Sequence, residues 1–140
     1  MQIIAGKENQ IVLRFDPGEE VIESFSSFLK EKDIRAASVS GVGSAREIEI
    51  SWYNLKTKEY ERKTITEDLE VLSLMGSVAR LDGDPAIHIH GTFGRRDLST
   101  LGGHVHRVVV LATVEIILSV LQNVEMRRAK DEETGLNLLQ

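Results

Sequence analysis

After one helical signal near its start, the chain runs from Asp33 to Leu121 as a near-unbroken series of β-prone stretches, and this imbalance limits the fold more than any other feature. The stretches are 36–42, 47–54, 59–66, 69–78, 85–93 and 104–121, the last long enough to be read as two strands. In Glu47-Ile48-Glu49-Ile50-Ser51-Trp52 charged and apolar residues alternate, as a strand with one wet and one dry face requires. Polar turns at 54–58 and 81–84 separate the strands. A sheet of this extent has two faces and unpaired edges, and one helix covers only part of one face. It must therefore curl into a barrel-like form or pack against another copy of itself. The expected class is α+β: a mostly antiparallel, curled or barrel-like sheet with one helix over about residues 17–32.

Local signals support both ends of that reading. Segments 2–5 and 10–15 flank Gly6-Lys7-Glu8-Asn9, the pattern of a hairpin. Asp16 can then cap a helix, Pro17 suits its first position, and Glu19 stands three residues after the cap, where its carboxylate can reach back. Val21, Ile22, Phe25, Phe28 and Leu29 recur at helical spacing, which gives the helix one apolar stripe.

With 140 residues, 41% of them apolar, the chain can bury one core, and a single domain over 1–140 is expected. The absence of cysteine excludes disulfides, iron–sulfur clusters and thiolate zinc sites, so any metal must be held by imidazole, carboxylate or main-chain oxygen. A formal charge of −5 opposes direct binding to a phosphate backbone. Arg95-Arg96 and Arg127-Arg128 are short basic pairs of the kind that lie solvated on a surface. The longest apolar run, 108–121, is too short for a bilayer and carries Glu115. No basic segment followed by an apolar stretch opens the chain, so a cytoplasmic, non-membrane protein is expected.

The histidines are His88, His90, His104 and His106, all in one short window. Residues two apart on a strand face the same way, so each pair presents two imidazoles to one side. Gly94, Asp97, Ser99, Gly102 and Gly103 make the intervening segment turn-rich. A hairpin centred near Asp97 sets His90 opposite His104 and His88 opposite His106, with facing Cβ atoms about 5 Å apart. Three imidazoles at that spacing can hold zinc and leave a fourth position open. The plainer alternative is two polar pairs on the wet face of a sheet.

His88-Ile89-His90-Gly91, Leu101-Gly102-Gly103-His104 and Ala112-Thr113-Val114-Glu115 resemble the signature of the plants-and-prokaryotes conserved domain, also called domain of unknown function 296. Ser40-Gly41-Val42-Gly43-Ser44-Ala45-Arg46, Glu70-Val71-Leu72-Ser73-Leu74-Met75-Gly76 and the closing Arg127-Arg128 with Asp131-Glu132-Glu133-Thr134-Gly135 match the family in the same order. The resemblance implies a homotrimer, a fold related to acetolactate decarboxylase with its three-histidine zinc, and His88, His90 and His104 as ligands. It supplies no counterpart for His106, which is either a neighbour of the ligands or surface. Plant members carry an AT-hook for the minor groove and a Gly-Arg-Phe-Glu-Ile-Leu stretch for partners; this chain has no AT-hook and reads Glu67-Asp68-Leu69-Glu70-Val71-Leu72.

Two classes of function follow as expectations. The first is a metal-dependent enzyme, with Zn2+ or another imidazole-binding divalent ion, acting on a small oxygen-rich molecule. Glu70 and Glu115 are its acid–base candidates because each interrupts an apolar strand, and Arg46 and Arg95 are candidates for binding an anionic group. The second is a non-enzymatic assembly module, DNA-associated or protein-binding, in which the ion serves stability or ligand sensing. A plain oligomeric scaffold is the limiting case.

Overall fold

The computed structural model describes residues 1–140 as nine strands and one helix: β1 Gln2–Lys7, β2 Gln10–Phe15, α1 Val21–Glu31, β3 Ala37–Asn54, β4 Glu59–Ile65, β5 Leu69–Leu81, β6 Asp84–Gly94, β7 Thr100–Val120, β8 Arg128–Lys130 and β9 Asn137–Leu139. Seven strands form one antiparallel sheet in the order β1-β2-β7-β6-β5-β3-β4, and an added pairing of β7 with β3 closes four of them into a ring. The expected curled sheet is therefore present, as a ring of pairings with β1–β2 and β4 hanging from it. β8 and β9 form a separate hairpin.

The ring closes because two strands are longer than their local pattern suggests. Segments 36–42 and 47–54, but for Ala36, belong to one strand of 18 residues, β3, and 104–121, but for Leu121, lies in one strand of 21 residues, β7, rather than two. Register shifts at Gly41/Gly43, Gly43/Ala45, Ala45/Glu47 and Glu49/Ile50 let β3 bend without stopping. Gly43 is needed at one of these bends: a Cβ there would lie 2.2 Å from the Thr113 carbonyl oxygen of β7. A flat strand of this length would leave one face bare, so the bulges convert an apolar run into a wrapped core.

Leu13, Phe15, Ile48, Leu74, Ile89, Phe93, Val108, Ile116 and Leu118 fill that core. The helix α1 buries Val21, Phe25, Phe28 and Leu29 on the same cluster, each contributing about 1.5–3 kcal/mol. It begins later than its sequence signals indicate. Glu19 does reach back to the Asp16 backbone N–H at 2.7 Å, but Gly18 turns at φ +83° and donates to Val110, so this is a loop clamped to β7. The cap is Glu20, whose carboxylate accepts from the N–H groups of Ile22 at 3.0 Å and Glu23 at 2.6 Å. Tertiary pairing at Val109 and Val110 overrides the helix-start pattern at Asp16 and Pro17. The expected hairpin β1–β2 forms, and β5 and β6 are joined through Asp82 and Gly83, both at positive φ, as a two-residue turn requires. No helix is long and apolar enough to cross a membrane.

Candidate metal centre

Strand periodicity carries the four histidines to one place. In the β6–β7 ladder His90 stands opposite His104, as the hairpin pattern requires, and on its other edge His104 stands opposite Ser51 of β3. Cross-strand partners share a face, so His88, His90, His104 and Ser51 all project from the outer side of the ring, while Ile89 between the two β6 histidines points into the core. The β6–β7 ladder ends at the His90–His104 pair, so His106 is not set opposite His88. Beyond that point β7 continues along β3, and the His106 Nε2 lies 2.7 Å from the Ser51 Oγ instead.

One potential ligand nitrogen from each of His88, His90 and His104 lies within 4.8 Å of the other two. The Nε2 atoms of His88 and His90 are 3.2 Å apart, close to the edge of about 3.3 Å in a tetrahedron with bonds of about 2.0 Å. The Nδ1 of His104 is buried with no hydrogen-bond partner, so the fold leaves an acceptor or donor here unsatisfied. This donor set fits a divalent transition metal: three imidazoles, no thiolate, no carboxylate in the first ring of contacts.

The surroundings favour the neutral form of His88, His104 and His106. Burial, followed by the proximity of His106, His88 and His90, pushes His104 down to about 4. Burial lowers His88, with the Arg128 guanidinium adding to the effect, and burial lowers His106, with Arg62 adding. Neutral histidines are the form that binds metal.

Three neighbours lie outside the histidine pattern. Tyr60 of β4 stacks on His104 with ring centroids 5.0 Å apart, and it faces Tyr53 across the β3–β4 ladder. Arg128 of β8 lies over the same face: its Nη2 is 3.1 Å from the Ser77 Oγ and 3.3 Å from the His88 Nδ1. Arg127 is exposed on Glu125, but Arg128 is not the solvated surface residue that a basic pair suggests. Burial lowers its pKa, and its Nε is enclosed without a partner. A signal for Arg128 existed in the turn-forming Asp131, Thr134 and Gly135 that follow it, since they fold the C-terminal segment back onto the sheet.

The carboxylate candidates are elsewhere. Glu70 is exposed opposite Gly94, five residues along β5 from the position facing His90, which is about 16 Å of strand. Glu115 is exposed opposite Arg14, eleven residues along β7 from His104. Within one chain neither is brought to the histidines. Arg95 is paired with Glu67 at 2.8 Å, and Arg46 is exposed on β3.

The fold recurs in solved proteins. A candidate DNA-binding protein from Bacteroides thetaiotaomicron superimposes with a TM-score of 0.93 at 27% identity, over 97% of this chain and 94% of that one. The metal-containing protein AF0104 from Archaeoglobus fulgidus is 36% identical, with a TM-score of 0.88 over 99% of this chain and 96% of its own. The α-acetolactate decarboxylase of Bacillus subtilis shares the fold alone, at 12% identity and a TM-score of 0.58, over 91% of this chain and 58% of the enzyme. No curated protein sequence matches the chain. The sequence profile of the Plants and Prokaryotes Conserved (PCC) domain matches residues 3–122, and the chain belongs to that family.

Proposed function

We propose that this protein binds a divalent metal ion, zinc first among candidates, through His88, His90 and His104, and that the site serves a metal-dependent reaction on a small oxygen-rich molecule. The carrying observation is the convergence of three ring nitrogens within 4.8 Å on one face of two adjacent strands. The metal-containing relative from Archaeoglobus fulgidus supports the reading. When bound, such an ion supplies Lewis acidity at a coordination position that the chain leaves open. The chain's own contribution is orientation. Tyr60 packs against one face of His104, while Ser51 holds the His106 ring beside it at a centroid distance of 4.8 Å. Ile89, anchored in the core, sets the direction of the two β6 histidines.

The same reading includes a homotrimer. On the outer face, Met75, Ser40 and Ile117 stand in one cross-strand row beside His90, and Met75, Ile117, Val42 and Leu72 are exposed apolar residues there. Such a band on a ring with open edge strands fits contact with further copies of the chain.

The test is metal content by mass spectrometry on protein purified without a histidine tag. Zinc near one per chain in the wild type, lost in His90→Ala with the fold intact by circular dichroism, is the expected result. Equal metal in the variant removes the assignment. Association with DNA is a second reading, favoured by the likeness to the Bacteroides protein and opposed by the −5 charge. Salt-independent, negligible retention of DNA on a filter dismisses it.

A further inference from the structure

A cavity of about 580 Å³ opens beside the histidines, lined by Tyr53, Tyr60, His88, His104 and Arg128 and closed on one side by the β8–β9 hairpin. The hairpin is fastened there. The Tyr53 hydroxyl donates to the Thr134 carbonyl at 2.8 Å, and the Lys58 ammonium to the Glu132 carbonyl at 2.8 Å. This wall lies beyond residues 3–122, the part matched by the family profile.

Arg128 is the residue in this wall whose chemistry is incomplete. Its Nη1 donates to the Asn137 carbonyl at 3.0 Å and its Nη2 to Ser77, but no carboxylate lies within ion-pair distance, and its Nε is buried without a partner. The contrast with the neighbouring arginine cluster is informative. There Arg35, Arg80 and Arg127 each have a carboxylate partner in Asp33 or Glu125. An enclosed guanidinium with no counter-charge is costly unless an anion joins it.

A metal on the adjacent histidines sharpens the point. A neutral imidazole offers one acceptor nitrogen, so His88 cannot accept from Arg128 at Nδ1 and also hold an ion at Nε2. With the ion present, the guanidinium has lost that acceptor, and a second positive charge stands on the far side of the His88 ring. An anionic group in the cavity that both residues line offsets this excess of positive charge.

We propose that this cavity binds a small organic carboxylate, with its carboxylate on Arg128 and its carbon frame against Tyr53, Tyr60 and Leu138; the proposal rests on the metal-site reading above. Carboxylate is preferred to phosphate because one free guanidinium matches one charge, Lys58 is already engaged, and Ile87, Leu136 and Leu138 give the cavity an apolar side. Arg128 is thus assigned to ligand binding, as the partner of the histidine site.

The experiment uses the full chain, metal-free and zinc-loaded, titrated by calorimetry with pyruvate, with its uncharged methyl ester, and with inorganic phosphate. Zinc stoichiometry is measured on the same samples. The expected result is saturable pyruvate binding to the zinc-loaded wild type, at least tenfold weaker for the ester and for phosphate. Arg128→Gln should weaken pyruvate at least tenfold with zinc still near one per chain, and Arg128→Lys should recover part of the loss. Pyruvate binding that ignores Arg128, ester or phosphate binding as tight as pyruvate, or no pyruvate binding at 10-millimolar order overturns the carboxylate site while leaving the zinc site standing. A wild type without zinc refutes the metal reading instead; pyruvate binding to that metal-free protein, lost in Arg128→Gln, then still supports the anion site, and its absence overturns it.

Discussion

Adding one methyl group at Gly76 should damage both the fold and the histidine site, and the size of the effect can be worked from the geometry. Gly76 pairs with Ile89, between the Ser77–His88 and Met75–His90 pairs of the β5–β6 ladder. A Cβ at this position would sit 1.9 Å from the His88 carbonyl oxygen and 2.8 Å from the Ile89 Cα, where real Cβ contacts essentially never fall below 3.0 Å. Both obstructing atoms are backbone, so β5 and β6 must separate locally by about 1 Å, enough to break one or two ladder bonds. At about 1 kcal/mol for each bond and about 1–3 kcal/mol for the strain of overpacking, Gly76→Ala should cost roughly 2–5 kcal/mol. That is a large part of the 5–15 kcal/mol typical of a domain. The same displacement moves His88 and His90, and metal bonds tolerate errors of only about 0.2 Å, so zinc affinity should fall at least tenfold. Urea unfolding of the metal-free protein and zinc competition against a chromophoric chelator measure the two effects. Gly83→Ala is the control: its φ of +90° strains a side chain, but nothing lies within 4 Å of the added carbon, so it should cost about 1 kcal/mol and leave zinc binding unchanged. Stability within 0.5 kcal/mol of wild type together with intact zinc affinity in Gly76→Ala would refute the strand-contact argument.

Acid should weaken the metal-free fold through His104. Its folded value is about 4 against an ordinary 6.5, so between those limits the unfolded chain binds more protons and stability falls as pH drops through the window. Partial solvent access to the ring limits the loss to roughly 1–2 kcal/mol. His104→Gln should flatten the urea midpoint between pH 7 and 4.5 relative to wild type; identical slopes sink this account. The assembly reading predicts that the Met75→Glu, Ile117→Glu double variant sediments as a monomer while the wild type sediments as a trimer. A wild type that stays monomeric across the micromolar range removes the reading.

What was legible in the residues was local. The β1–β2 hairpin, the apolar stripe of α1 and the His90–His104 pairing follow from periodicity and turn residues within 14 positions of one another. What was hidden depended on contacts far along the chain. Gly41 and Gly43 look like an interruption of a strand, yet the β7 backbone passes so close to them that they are the points at which β3 bends and continues. The helix starts later than Asp16 and Pro17 suggest for the same reason, since Gly18 and the Glu20 backbone are held by β7 and Glu20 caps the helix from there. Glu70 and Glu115 each interrupt an apolar run, and within one chain the strands expose both on the wet face away from the histidines, a separation that periodicity alone does not reveal. Arg128 shows the converse. As one half of a basic pair it carries no periodic signal, and it enters the site only because Asp131 caps a turn through the Thr134 N–H and hydroxyl while Tyr53 fastens that turn from the sheet. The histidine-bearing strands are thus written in a repeat of two that a reader of sequence can find, whereas the guanidinium beside them arrives through a closure between Tyr53 and Thr134, 81 positions apart. Substituting Tyr53→Phe separates the two: the histidines keep their strand register, and only the wall that bears Arg128 is loosened.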